Sequence, residues 1–143
     1  MTQEAVERKT QTPQEISFTK AFSSFSVNDL KKAKNFYAQT LGLEVKEQPE
    51  GLELQFEDGQ SIFIYPKGDH QAATFTVLNF PVADIRAAVD KLADAGINFE
   101  KFGAETKTDE KGIFWGEKKG HGPNIAWFKD PAGNFLSLIE IAG

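Results

Sequence analysis

Displaced by 55 residues against itself, the sequence repeats: Phe25 falls on Phe80, Val27 on Val82, Asp29 on Asp84, Leu30 on Ile85 and Ala33 on Ala88. These five coincidences share one offset and occupy the positions of a strand, a helix cap and a helix face, so they point to internal duplication. A chain made twice from one small unit folds as two similar modules. Each module leaves one face of its sheet without a helix. Packing the two edge to edge covers the helical faces and leaves a surface between the sheets where a ligand can sit. With 143 residues, 40% of them hydrophobic, the chain can bury one sizeable core and not two.

The unit can be followed residue by residue. From Phe18 apolar and polar positions alternate, with Phe25 and Val27 on one side and Phe22, Ser24 and Ser26 on the other, as a half-buried strand requires. Asn28-Asp29 supplies a helix cap, Leu30, Ala33, Tyr37 and Leu41 recur at helical spacing, and Gly42 closes the helix. Three strands are expected next, Leu43–Glu47, Leu52–Glu57 and Ser61–Tyr65, with turns at Pro49-Glu50-Gly51 and Asp58-Gly59. The second half repeats the order: a strand from Thr74 to Val82, a helix from Asp84 with Ile85, Ala88, Val89 and Leu92 on one stripe, and a stop at Gly96. Further strands follow, interrupted by a long loop between Gly103 and Pro123. Residues 1–15 show no periodicity and are expected to form a mobile arm before a single domain, 16–143, of two βαβββ modules, about 16–68 and 72–143.

Composition removes several classes of function. A net charge of −5 offers no basic face for phosphates, so no nucleic-acid partner is expected. Without cysteine there is no disulfide, no thiolate nucleophile and no cysteine-held metal. The first residues have no apolar core and no later run is long enough to cross a bilayer, so the expectation is a cytoplasmic protein without a membrane partner. His70, in the Lys67-Gly68-Asp69-His70 linker, reads as a solvated loop residue. Lys107, Lys111, Lys118 and Lys119 alternate with acids and read as a solvated loop rather than a collar for an anion. His121, in a glycine-rich loop with Glu117 nearby, is the candidate for acid–base chemistry.

Phe25-Ser26-Val27-Asn28-Asp29-Leu30, Asn35-Phe36-Tyr37 and Leu41-Gly42-Leu43, followed by Trp115-Gly116 and Asp130-Pro131-Ala132-Gly133-Asn134, resemble the vicinal oxygen chelate superfamily of glyoxalases, bleomycin-resistance proteins and dioxygenases. The resemblance runs over about residues 18–143. It implies an α+β fold in which tandem βαβββ modules form an open, partly closed barrel around a cleft, and it implies a homodimer. In the metal enzymes of the superfamily, His, Gln or Glu ligands enter that cleft. The matching positions here, seven before Asp29 and Asp84 and three after Gln60 and Asn134, hold Phe22, Val77, Phe63 and Ser137. One hydroxyl does not hold a divalent cation, so neither metal nor cofactor is expected. The cleft lining is then Phe22, Ser24, Phe63, Tyr65, Val77, Asn79, Trp127 and Ser137, with Trp115 at the rim. That surface suits a small aromatic or partly apolar organic ligand, held by stacking and a few hydrogen bonds. The expected function is small-molecule binding. The alternative is a glyoxalase- or dioxygenase-like enzyme using His121 or an unrecognised metal site.

Overall fold

The structure is a computed structural model that describes residues 16, 18–120 and 122–141. The expected arm (1–15) and His121 lie outside the described residues.

Both halves fold as the duplication requires. The first has β1 (Ser23–Val27), α1 (Leu30–Asn35, prolonged by a π-helical turn, Phe36–Thr40), β2 (Glu44–Gln48), β3 (Gly51–Gln55) and β4 (Ser61–Pro66). The second has β5 (Thr76–Val82), α2 (Ile85–Asp94), β6 (Ile113–Trp115), α3 (Gly116–Lys119), β7 (Asn124–Lys129) and β8 (Phe135–Glu140). The sheets run β1-β4-β3-β2 and β5-β8-β7-β6, the same order twice. The first strand of each module lies parallel to the last, and the remaining pairings are antiparallel. Asp29 Oδ1 accepts from the Lys32 amide and Asp84 Oδ1 from the Ala87 amide, each at 3.1 Å, so the two helices start with the same cap.

Three expectations change at their ends. Phe18–Lys20 is a 3-10 turn and β1 begins only at Ser23, which leaves Phe22 outside the strand and 66% exposed. The segment from Gly103 to Pro123 is not one long loop, because it contains a 3-10 turn, β6 and α3. The organiser is Asp109, whose Oδ1 accepts from the amides of Lys111 and Ile113 and turns the chain into β6. A register shift between Thr76 and Leu78 leaves Val77 out of the β5–β8 ladder, and its side chain packs against the core.

Buried side chains of both modules form one cluster, with Tyr37, Leu54 and Ile64 from the first and Ile85, Val89 and Leu138 from the second. A polar bracket reinforces this apolar contact. The Tyr37 hydroxyl donates to Asp130 Oδ2 at 2.8 Å, and Asn134 Nδ2 donates to the Ser26 carbonyl at 2.9 Å. His70 is not a solvated loop residue. Its Nε2 lies 3.0 Å from the Ala132 carbonyl, which can only accept, so in the neutral ring Nε2 donates there and Nδ1 accepts from the Ser26 hydroxyl at 2.7 Å. The Asp130–Asn134 turn thus joins the modules as well as connecting β7 to β8.

Candidate functional site

Strand alternation divides each sheet into a face under its helix and a helix-free face. On the second sheet Ala126, Phe128, Leu136 and Leu138 are buried under α2, and Trp127, Phe135 and Ser137 point the other way. Trp127 pairs with Ser137 and Lys129 with Phe135 across the ladder, so the aromatic rings sit side by side. Phe102 completes the group. It is fixed by Thr108, whose hydroxyl accepts from the Phe102 amide at 2.9 Å and whose own amide donates to the Phe102 carbonyl at 3.0 Å. This staple sets the Phe102 ring edge-on to Trp127, centroids 5.5 Å apart and planes at 84°, and 6.4 Å from Phe135. Phe114 packs against Trp127 as well, with centroids 6.1 Å apart.

These rings border a pocket of about 220 Å³ lined by Thr74, Phe75, Thr76, Phe102, Thr106, Trp127 and Phe135. Phe75 is 68% exposed at its mouth. Three hydroxyls and four aromatic side chains give an apolar wall with a few hydrogen-bonding groups, the usual make-up of a small-molecule site.

Of the cleft residues expected from the sequence, Trp127 alone lines this pocket. Ser137 and Asn79 lie beside it in the same row, but the Ser137 hydroxyl donates to Asn79 Oδ1 at 2.5 Å and is fully buried. Asn79 also edges a separate crevice of about 270 Å³, shared with Phe56 and Gln60 of the first module. Ser24, Phe63 and Tyr65 lie on the helix-free face of the first sheet, with the Phe63 and Tyr65 rings stacked at 6.5 Å. Phe22 borders a third, polar depression beside the Asp58-Gly59 turn. Trp115 departs from the expected rim position. Pairing with Asn124 turns it toward α2, where its Nε1 donates to Asp109 Oδ2 at 2.9 Å and Arg86 covers its ring at 5.1 Å. Phe114, one residue earlier, takes the open face.

Phe75, Phe102 and Phe135 did not emerge as site residues from the sequence. Phe135 carries a usable signal, since it stands two residues before Ser137 and must share its face. Phe102 carries none, because its position depends on the Thr108 staple.

The positions that the resemblance assigns to metal ligands do not fit a cation. Phe22 and Phe63 have no donor atom, Val77 packs on the core, and the Ser137 hydroxyl is engaged by Asn79. Among the described residues, no three His, Asp or Glu side chains converge. Glu140 faces away from Ser137, with its carboxylate accepting from the Ile85 amide at 3.0 Å and from Asn124 Nδ2 at 2.7 Å. No helix among the described residues is long and apolar enough to cross a membrane.

Solved structures share this architecture. A glyoxalase family protein from Enterococcus faecalis is 24% identical, with a TM-score of 0.60 over 83% of this chain and 94% of its own. TnmS3, an antibiotic binding protein from a Streptomyces species, is 21% identical, with a TM-score of 0.57 over 85% and 96%. The oxidase ChaP-H2 is 20% identical, with a TM-score of 0.56 over 85% and 93%. At such identities the likeness is one of fold. A search of curated sequences gave no match. Residues 21–138 match the sequence profile of a single family, and the chain therefore belongs to the Glyoxalase/Bleomycin resistance protein/Dioxygenase superfamily.

Proposed function

We propose that this chain is a small-molecule binding protein whose ligand is a flat, aromatic or partly apolar compound seated against Trp127. One observation carries the reading: Phe75, Phe102, Trp127 and Phe135 converge on one pocket with three threonine hydroxyls beside them. Its volume of about 220 Å³ is below the roughly 300–1,000 Å³ of sites for drug-sized ligands, which favours one or two fused rings. The antibiotic-binding relative TnmS3 supports binding as a use of this fold, although one fold serves many activities.

The same reading includes a homodimer. The aromatic pair Phe63–Tyr65 stands on the first sheet, and neither ring lines the Trp127 pocket. A second copy that sets its first sheet over this pocket would join them and shield the ligand from water.

The test is a calorimetric titration of two-ring aromatic compounds into the full chain, with tryptophan fluorescence as a second readout. Saturable binding with a change in emission is expected for the parent protein, and Trp127→Ala should weaken it at least tenfold. Absence of binding across the panel, or equal affinity in Trp127→Ala, would overturn the proposal. Turnover of a bound compound would move the chain to the enzyme branch.

A further inference from the structure

We propose that the ligand of the Trp127 pocket is an aromatic anion and that Lys129 is its counter-charge, an inference that rests on the binding function proposed above. The chain is acidic overall, yet its pocket-bearing face is not. Among the described strand positions on the helix-free face of the second sheet, Lys129 is the one charged residue. It stands directly across the ladder from Phe135, and its ammonium lies 5.0 Å from the centre of that ring, which lines the pocket. Resting a cation on an aromatic face is a weak arrangement for an exposed lysine. Among the described residues the ion pairs are Lys34–Glu47, Lys67–Asp69 and Lys111–Asp90, and none of them involves this face.

The lysines of the second-half segment divide in an informative way. Lys111 is paired to Asp90, and Lys118 lies over Trp115 on the α2 side. Lys119 instead reaches across to the helix-free side, 4.9 Å from the Phe114 ring and donating to the Lys107 carbonyl. Positive charge therefore stands over Phe135, which lines the pocket, and over Phe114, which packs against Trp127. Three of the neighbouring acids are committed elsewhere, Asp109 to Trp115, Asp130 to Tyr37 and Glu140 to the start of α2, whereas Glu100 follows the bridge residue Phe99 beside β7. Glu105, on the exposed 3-10 turn beside Thr106, is the nearest acid in sequence to a lining residue. Thr74 and Thr76 supply hydroxyl donors at the pocket wall for the anion's oxygens. A cationic ligand would meet the Lys129 ammonium beside the pocket, and a neutral one would leave it resting on the Phe135 ring.

The experiment uses three isosteric probes, 2-naphthoate, 2-naphthamide and 2-naphthamidinium, titrated calorimetrically into the full chain at low and high salt. Naphthoate is expected to bind about two- to fivefold more tightly than naphthamide, as for an exposed charge pair, and naphthamidinium most weakly. The preference should shrink in 1 M salt, where screening acts within about 3 Å. Lys129→Gln lies at an exposed position that should not affect folding. It should equalise naphthoate and naphthamide while leaving naphthamide affinity unchanged, and Lys119→Gln should have a smaller effect. If naphthamide or naphthamidinium binds as well as naphthoate, the charge assignment falls and the aromatic pocket stands. Undiminished naphthoate preference in Lys129→Gln also removes the assignment. If none of the three binds, the proposed function falls with it.

Discussion

Replacing Tyr37 with phenylalanine tests the bracket between the modules by deleting a single oxygen. The Tyr37 side chain is fully buried and Asp130 is 4% exposed. Asp130 Oδ1 accepts from the amides of Ala132 and Asn134, both at 2.9 Å, and Oδ2 from the Tyr37 hydroxyl at 2.8 Å and Asn134 Nδ2 at 3.1 Å. Without the hydroxyl, Oδ2 keeps only an amide that also serves the Ser26 carbonyl. Hydrogen bonds to charged groups contribute roughly 1.5–3 kcal/mol, so Tyr37→Phe should cost about 2 kcal/mol. With an unfolding entropy of about 2.1 cal/mol/K per residue, that corresponds to a fall of about 7 °C in Tm. Urea denaturation should show a lower midpoint at unchanged slope. Burial first, then the charge of Asp130 and its hydrogen bond, hold the Tyr37 hydroxyl well above its ordinary range. The folded state therefore keeps this proton more tightly than the unfolded chain. The resulting stability is complete below about pH 10, the ordinary tyrosine value, and declines as pH rises beyond it. Tyr37→Phe should lack this part of the alkaline decline. A variant within about 0.5 kcal/mol of the parent would refute the reasoning and assign the joining of the modules to apolar packing alone.

Gly51→Ala places a Cβ 2.1 Å from the Ile64 carbonyl oxygen, a backbone atom that cannot step aside, whereas Gly68→Ala meets nothing within 4 Å. Denaturation midpoints should show a loss of about 2–3 kcal/mol for the first and less than about 0.5 for the second. Thr108→Val removes the hydroxyl that holds Phe102. It should cost about 1–2 kcal/mol in denaturation and weaken naphthoate binding severalfold in calorimetry. Burial opposes ionisation of Asp109, but the Trp115 indole, the Ile113 and Lys111 amides and the charge of Arg86 outweigh it and hold its carboxyl below the ordinary value. Its contribution to stability is therefore present above the unfolded value of about 3.9 and is lost as pH falls through the lower folded one. Trp115 emission should shift in that acid range, and Asp109→Asn should abolish the shift.

What could be read from the sequence was local or repeated. Both helix caps, both glycine stops and the succession of strands around the two long helices follow from turn chemistry and periodicity, and Asn79 and Ser137, both expected in the cleft, pair across the second sheet. Misplacements arose where a contact distant in sequence, or a single-residue shift, sets the outcome. The register shift at Val77 and the Asp109 turn before β6 each reverse which way a side chain faces, so Val77 and Trp115 left the expected cleft. Phe102 joins the pocket through a staple that no alternation reveals. Asp130-Pro131-Ala132-Gly133-Asn134 was legible as a turn, but its bond to Tyr37, 93 residues away, was not.

The strand orders leave four edges, any of which can recruit a foreign strand and seed aggregation. The fold disarms each by a different means. On β1, Asn134 occupies the outward-facing Ser26 carbonyl. On β5, Pro81 offers no amide. On β2, Glu44, Lys46 and Glu47 put mixed charge along the strand, and β6 is only three residues long. A duplicated sheet protein doubles its exposed edges along with its binding faces. Here the turn that joins the modules also closes one of those edges to other chains.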